Sequence, residues 1–166
     1  IYGIGAVMFY ISGEIVRSTG FRGVLMRFCL IATVATVFEL ACGLLLEYGM
    51  GMKAWDYSKN FLNYKGLICL KMTVLWGVGG VIFAYLVIPK LKKLFARMQG
   101  TGWRVACAAV SIFMIINISF TLVCMVRWRG RRAGIAATTQ IGQYADKKYD
   151  DAAMAKRFCE WHVIKK

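Results

Sequence analysis

Val105–Val126 reads VACAAVSIFMIINISFTLVCMV, 22 residues without a formal charge. As a helix it reaches about 33 Å, enough to cross a hydrocarbon core of roughly 30 Å. A helix of that length in water carries a polar stripe; here the polar side chains are Ser111, Asn117, Ser119 and Thr121. The run is read as membrane-spanning. Gly66–Ile88 is read the same way, interrupted only by Lys71 and stopped by Pro89. So is Gly23–Leu46, which carries Arg27 and Glu39. Residues 1–12 are apolar but reach only about 18 Å as a helix. They are read as a partial span at the start of an N-terminally truncated unit. A signal peptide is the rival reading, and no basic region precedes the apolar run.

The expected fold class is all-α: a polytopic transmembrane helix bundle over residues 1–126, followed by a basic, partly helical tail over 127–166. Of all residues, 59% are hydrophobic and a single one is proline, an excess over a soluble domain that the bilayer explains. The net charge of +14 is the usual mark of nucleic-acid binding. Once the helices are set aside no soluble basic domain is left, and Lys and Arg flanking membrane helices account for the charge. Nucleic acid is therefore excluded as a partner, and the lipid bilayer is the expected one.

Between the spans the chain is polar and aromatic. Residues 13–22 form a turn. Residues 48–64 hold Tyr48, Trp55, Tyr57, Phe61 and Tyr64, residue types that gather at membrane surfaces. After Pro89, Leu91, Leu94, Phe95 and Met98 alternate with Lys90, Lys92, Lys93 and Arg97 at helical spacing, a basic amphipathic helix. It either lies in the membrane interface or extends the preceding span outward; membrane-surface packing is one reading of it, and a coupling helix that docks a partner protein is the other. The cluster RWRGRR at 127–132 closes the last span. It favours a cytoplasmic tail, against the cations of residues 90–104, which argue for the opposite orientation. In the tail, Met154, Phe158 and Trp161 share one helical face.

An ionisable residue inside a membrane helix costs ~2.5–3.5 kcal/mol near its centre and marks a functional candidate. Glu39 lies about 10 Å inside its end of the helix, and Lys71 about 7 Å inside the next. A Glu39–Lys71 pair is expected, either as a structural ion pair or as a substrate, proton or ion site. Glu47 and Asp56 extend Glu39 into a possible acidic path from the interface. Trp76-Gly77-Val78-Gly79-Gly80 has no phosphate-loop spacing and is read as a close-packing surface. The six cysteines, Cys29, Cys42, Cys69, Cys107, Cys124 and Cys159, form no CxxC pair and are read as packing residues. With His162 as the one histidine, no metal site is expected, no cofactor is implied, and no catalytic constellation is present. The chain is expected not to be an enzyme.

Glu39, Glu47, Trp55-Asp56-Tyr57-Ser58, Asn63-Tyr64-Lys65-Gly66-Leu67-Ile68-Cys69-Leu70, Trp76-Gly77 and Pro89 stand in a sequence order that resembles a bacterial integral membrane family, the ABC-transporter type IV or CmpB-like permeases. The similarity covers about residues 1–90, with Ile1-Tyr2-Gly3 matching the family's opening element. It implies a multi-pass protein of the bacterial cell membrane, a transport role, and a separate ATPase subunit, since this chain carries no P-loop. It also implies at least one helix upstream. The family pattern has Arg after the loop glycine; Leu67 stands there, so any charge-balancing role falls to Lys65 or Lys71 or is empty.

Three functions are weighed. A permease or transport component would use Glu39, Lys71, Glu47 and Asp56 on a solute or coupling ion. A membrane accessory or assembly protein would present the aromatic loop, with Trp55 and Tyr57, to a partner. A membrane enzyme using Asp56 or Cys69 is the weakest. Homo-oligomerisation is compatible with all three.

Overall fold

A computed structural model describes residues 2–163; the Ile1 part of the opening element lies outside them. Among the described residues three helices are long and apolar enough to cross a membrane: Gly20–Met50, Leu70–Arg97 and Thr101–Arg132. The chain is a helical membrane protein. The described residues sort into two compact units, 2–47 with 55–97, and 48–54 with 98–163. The expected loop 48–64 thus divides between the two, and the expected divide at 126/127 falls inside a helix.

The first unit contains α1 (Tyr2–Ile15), α2 (Gly20–Leu44), the strands β2 (Asn63–Tyr64) and β3 (Ile68–Cys69), α3 (Leu70–Ile82) and α4 (Ile88–Arg97). Of the expected partial span, residues 2–12 belong to the short helix α1, and Ile1 lies outside the described residues. The α2–α3 pair is set by small residues. Gly77 faces the ring of Phe28 and Gly80 faces Ile31, each closer than any side chain would allow. The Trp76–Gly80 segment is therefore the packing surface its composition suggested, because glycine lets two backbones approach. The Thr36 and Thr73 hydroxyls share a hydrogen bond of 2.9 Å across the same seam.

Pro89 does not stop the helix as expected. Proline lacks an N–H and its ring clashes with the carbonyl four residues back, here that of Tyr85. A π-helical turn, Phe83–Val87, contains that residue and separates α3 from α4. The wider turn has already reorganised the hydrogen-bond ladder where the ring needs space, so the helix runs on. The basic amphipathic segment consequently extends the span outward, and Lys92 pairs with Glu14 of α1.

Arg27 fastens the α1–α2 corner. Its Nε donates to Gly13 O (3.2 Å), Nη1 to Ser18 O (3.0 Å) and to the Tyr85 hydroxyl (3.1 Å), and Nη2 to Val16 O. The last carbonyls of a helix lack partners within it, and the planar fork of one guanidinium serves several at once.

In the second unit, α5 (Thr101–Arg132) receives α6 (Gln140–Lys148) and α7 (Asp151–Arg157) against its C-terminal end, and β1 (Met52–Lys53) pairs with β4 (His162–Val163) in antiparallel register. The core holds Met52, Cys124, Met125, Trp128, Ala145 and Met154, with Phe158 and Trp161 packed against it. The tail residues Met154, Phe158 and Trp161 do face one side as expected, but the helix ends at Arg157. Arg127 and Arg131 both bind Asp146, and Arg131 also binds Asp151. The basic cluster after the last span is therefore partly consumed in folding the tail.

Candidate functional site

The loop between α2 and α3 is built by backbone hydrogen bonds. The strands pair antiparallel, Asn63 with Cys69 and Tyr64 with Ile68. Gly66 makes the turn possible: its φ is +70°, and a Cβ there would lie 2.3 Å from Asp56 Oδ1. Asp56 accepts from Ser58 N at 2.9 Å, an Asx turn. Asn63 closes the loop from within, donating to Ser58 O and Asn60 O and accepting from Gly66 N. Trp55 Nε1 donates to Leu67 O at 2.8 Å, and Tyr57 N to Gly66 O at 2.7 Å. Leu67 is 1% exposed and packs where Gly43 of α2 leaves room. The residue after the loop glycine is thus a core side chain.

That folding turns Tyr57 onto α2. Its hydroxyl donates to Glu39 Oε1 at 3.1 Å, while Trp76 Nε1 of α3 donates to Glu39 Oε2 at 3.2 Å. Glu39 is only 9% exposed. Phe9 of α1 meets Trp76 edge-on, the ring centroids 6.0 Å apart. The motif residues Trp55, Asp56, Tyr57, Ser58, Asn63 and Gly66 therefore build a cap from which the Tyr57 hydroxyl reaches into the bundle.

The expected Glu39–Lys71 pair is not made. Among the described residues no Lys or Arg lies within ion-pair distance of Glu39. Lys71 is exposed and lines a shallow apolar recess with Phe61, Leu70, Val74 and Leu75. Similar depth along two helices did not mean a shared face. Of the three carboxylates, Glu39 reaches the loop through Tyr57, and Asp56 holds the turn through Ser58 N. Glu47 is half-buried, and its Oε2 has no hydrogen-bond partner among the described residues. Cys69 is buried at the start of α3, its carbonyl accepting from Thr73 Oγ1 at 3.2 Å. Gly77 is a packing position. No group of three or more His, Cys, Asp or Glu side chains gathers among the described residues.

Trp55 and Tyr57, expected on an outward interaction surface, are half-buried and engaged inside the loop. The loop's exposed apolar side chains are Phe61, Leu62 and Tyr64. The sequence does not foretell the pairing of Glu39 with Tyr57 and Trp76, because spacing carries no information on a contact across 18 or 37 residues. In the sequence Arg27 is a charge in an apolar run, and the cost of leaving it unpaired there is the signal that it must serve acceptors.

Chemically, the site is one carboxyl group held in a largely apolar bundle by two neutral donors, at the underside of an ordered loop. A family model described as Putative ABC-transporter type IV matches residues 1–122. No curated protein and no solved structure matches the chain.

Proposed function

The chain belongs to the ABC-transporter type IV family, and from that premise we propose that it serves as the membrane-embedded permease component of a bacterial transporter, itself non-enzymatic and driven by a separate ATPase subunit. The observation that carries this reading is Glu39. Burying a charge without a counter-charge is expensive, and a purely structural role would be met by an apolar residue of similar volume at no such cost. Here the carboxyl is retained, 9% exposed, with neutral donors on both oxygens and, among the described residues, no cation beside it. A group so placed is available to a solute or coupling ion.

The test has two arms. Purified in mild detergent, the chain should bring with it an ATPase subunit and ATP hydrolysis. Glu39→Gln should keep that subunit but uncouple hydrolysis from transport in sealed vesicles. An intact transport rate in the Gln variant would remove Glu39 from the site.

A second reading has its own support. Phe61 is 77% exposed, Leu62 66% and Tyr64 54%, an apolar edge on an ordered loop. An accessory or assembly protein would use it to hold a partner. That reading expects Phe61→Ser with Tyr64→Ser to abolish complex formation, and Glu39→Gln to lower stability alone.

A further inference from the structure

The two hydrogen bonds on Glu39 are not equivalent. The Trp76 indole N–H can only donate, so Oε2 must accept whatever the charge of the carboxyl. The Tyr57 hydroxyl can donate or accept. With Glu39 ionised, Tyr57 donates to Oε1, as the 3.1 Å contact allows. With a proton on Oε1, the same contact runs the other way, Glu39 donating to the phenol oxygen. Both states keep both hydrogen bonds, and no heavy atom has to move.

We infer that Glu39 is a proton-binding site, loaded through the Tyr57 hydroxyl on the loop side, so that the ligand of this carboxyl is a proton and not a metal or organic cation. On loading, the Tyr57 hydroxyl proton passes to Oε1 along the existing contact while the phenol oxygen takes a proton from a loop-side hydronium, which leaves as water. The carboxyl becomes neutral and the phenol keeps one O–H, now turned away from Glu39; Tyr57 is half-exposed, so solvent can supply that proton. Metal cations need several oxygen ligands. Here an indole N–H points at one carboxylate oxygen, and the phenol is the oxygen hydrogen-bonded to the other. An organic cation would meet the same N–H edge rather than an aromatic face.

Among the described residues Glu39 itself makes no ion pair. The loop contributes the Tyr57 phenol, and α2 itself the Cys42 thiol within electrostatic reach. From α3 come the Trp76 indole and the Thr73 hydroxyl bound to Thr36, with Lys71 exposed. From α1, Phe9 packs on Trp76, and Glu14 is engaged with Lys92.

The inference rests on Glu39 being the working centre of the proposed permease, but its test reads the carboxyl directly and needs no ATPase. Infrared difference spectra of the whole chain in lipid nanodiscs are recorded across a pH titration. The wild type should show the carbonyl stretch of a protonated carboxyl that disappears in Glu39→Gln. Tyr57→Phe should keep the band but shift its titration midpoint, and Trp76→Phe should shift its frequency. Replacing sodium by a bulky organic cation should leave the midpoint in place. The inference is overturned if the wild-type and Glu39→Gln spectra match at every pH, if the midpoint is the same in Tyr57→Phe, or if it follows the cation. Should the Glu39→Gln substitution disturb folding, the Tyr57→Phe comparison still decides, since Glu39 is present in both chains. A band that titrates as described in a chain with no ATPase partner would uphold the proton site and reject the permease reading alone.

Discussion

Gly80 of α3 lies against Ile31 of α2 so closely that a Cβ on Gly80 would stand 2.2 Å from Ile31 Cγ2. Ile31 is fully buried, and two more of its atoms would be 2.9 Å away. A β-branched side chain has little rotamer freedom with which to yield. The neighbouring Gly79 has nothing within 4 Å of such a Cβ. Two adjacent glycines in one helix thus stand under opposite constraints.

Alanine at the two positions separates those constraints. Gly80→Ala gains helix propensity of about 1 kcal/mol but overpacks the seam at a cost of about 1–3 kcal/mol, so net destabilisation is expected. Gly79→Ala should stabilise the chain by up to about 1 kcal/mol. Thermal unfolding of the two variants in detergent measures the difference; Gly80→Ala melting at or above Gly79→Ala would show that α2 and α3 do not pack as described.

At Gly66, alanine should detach the loop. A non-glycine residue in this left-handed conformation costs roughly 1–2 kcal/mol, and its Cβ would also collide with Asp56 Oδ1. Because Gly66 O anchors Tyr57 N, the variant should expose residues 56–66 to protease and loosen Tyr57 from Glu39. A cleavage rate equal to wild type would contradict this.

Arg27→Ala removes the donors for Gly13 O, Val16 O and Ser18 O together. A hydrogen bond to a charged group contributes about 1.5–3 kcal/mol, so a loss on the order of 3 kcal/mol is expected after relaxation. Arg27→Lys should recover only part of it, since an ammonium lacks the planar fork. Trypsin cutting at Arg17 and Arg22 reports the corner: cleavage should accelerate in the order wild type, Lys, Ala.

The Arg127 guanidinium, hydrogen-bonded to Asp146 together with that of Arg131, holds the Asp146 carboxyl below the ordinary aspartate value of 3.8. A carboxyl depressed in the folded state contributes stability that is fully present above its unfolded pKa and is lost as pH falls through the folded one. The tail helices should therefore stay docked at mild acidity and release below pH 3.8. Amide exchange of α6 and α7, corrected for its intrinsic pH dependence, tests this. Asp146→Asn should exchange faster at neutral pH and show little further change on acidification.

Hydropathy is a property of a segment by itself, which is why Val105–Val126, Gly66–Ile88 and Gly23–Leu46 announced their spans and Trp76–Gly80 its packing role before any partner was known. The family, too, was legible in the order of Glu39, Trp55–Ser58, Asn63–Leu70 and Trp76. The choice of partners was not. Glu39 and Lys71 have opposite charges at similar depth, yet the carboxyl takes Tyr57 and Trp76, because the phase of two helices and the closing of the loop decide which groups meet. Arg27 finds backbone carbonyls that exist as acceptors only where α1 ends, and Pro89 stays helical only because a π turn precedes it. Apolar burial accumulates residue by residue along the chain, whereas a hydrogen bond depends on where two distant atoms come to rest, and only the folded chain fixes that.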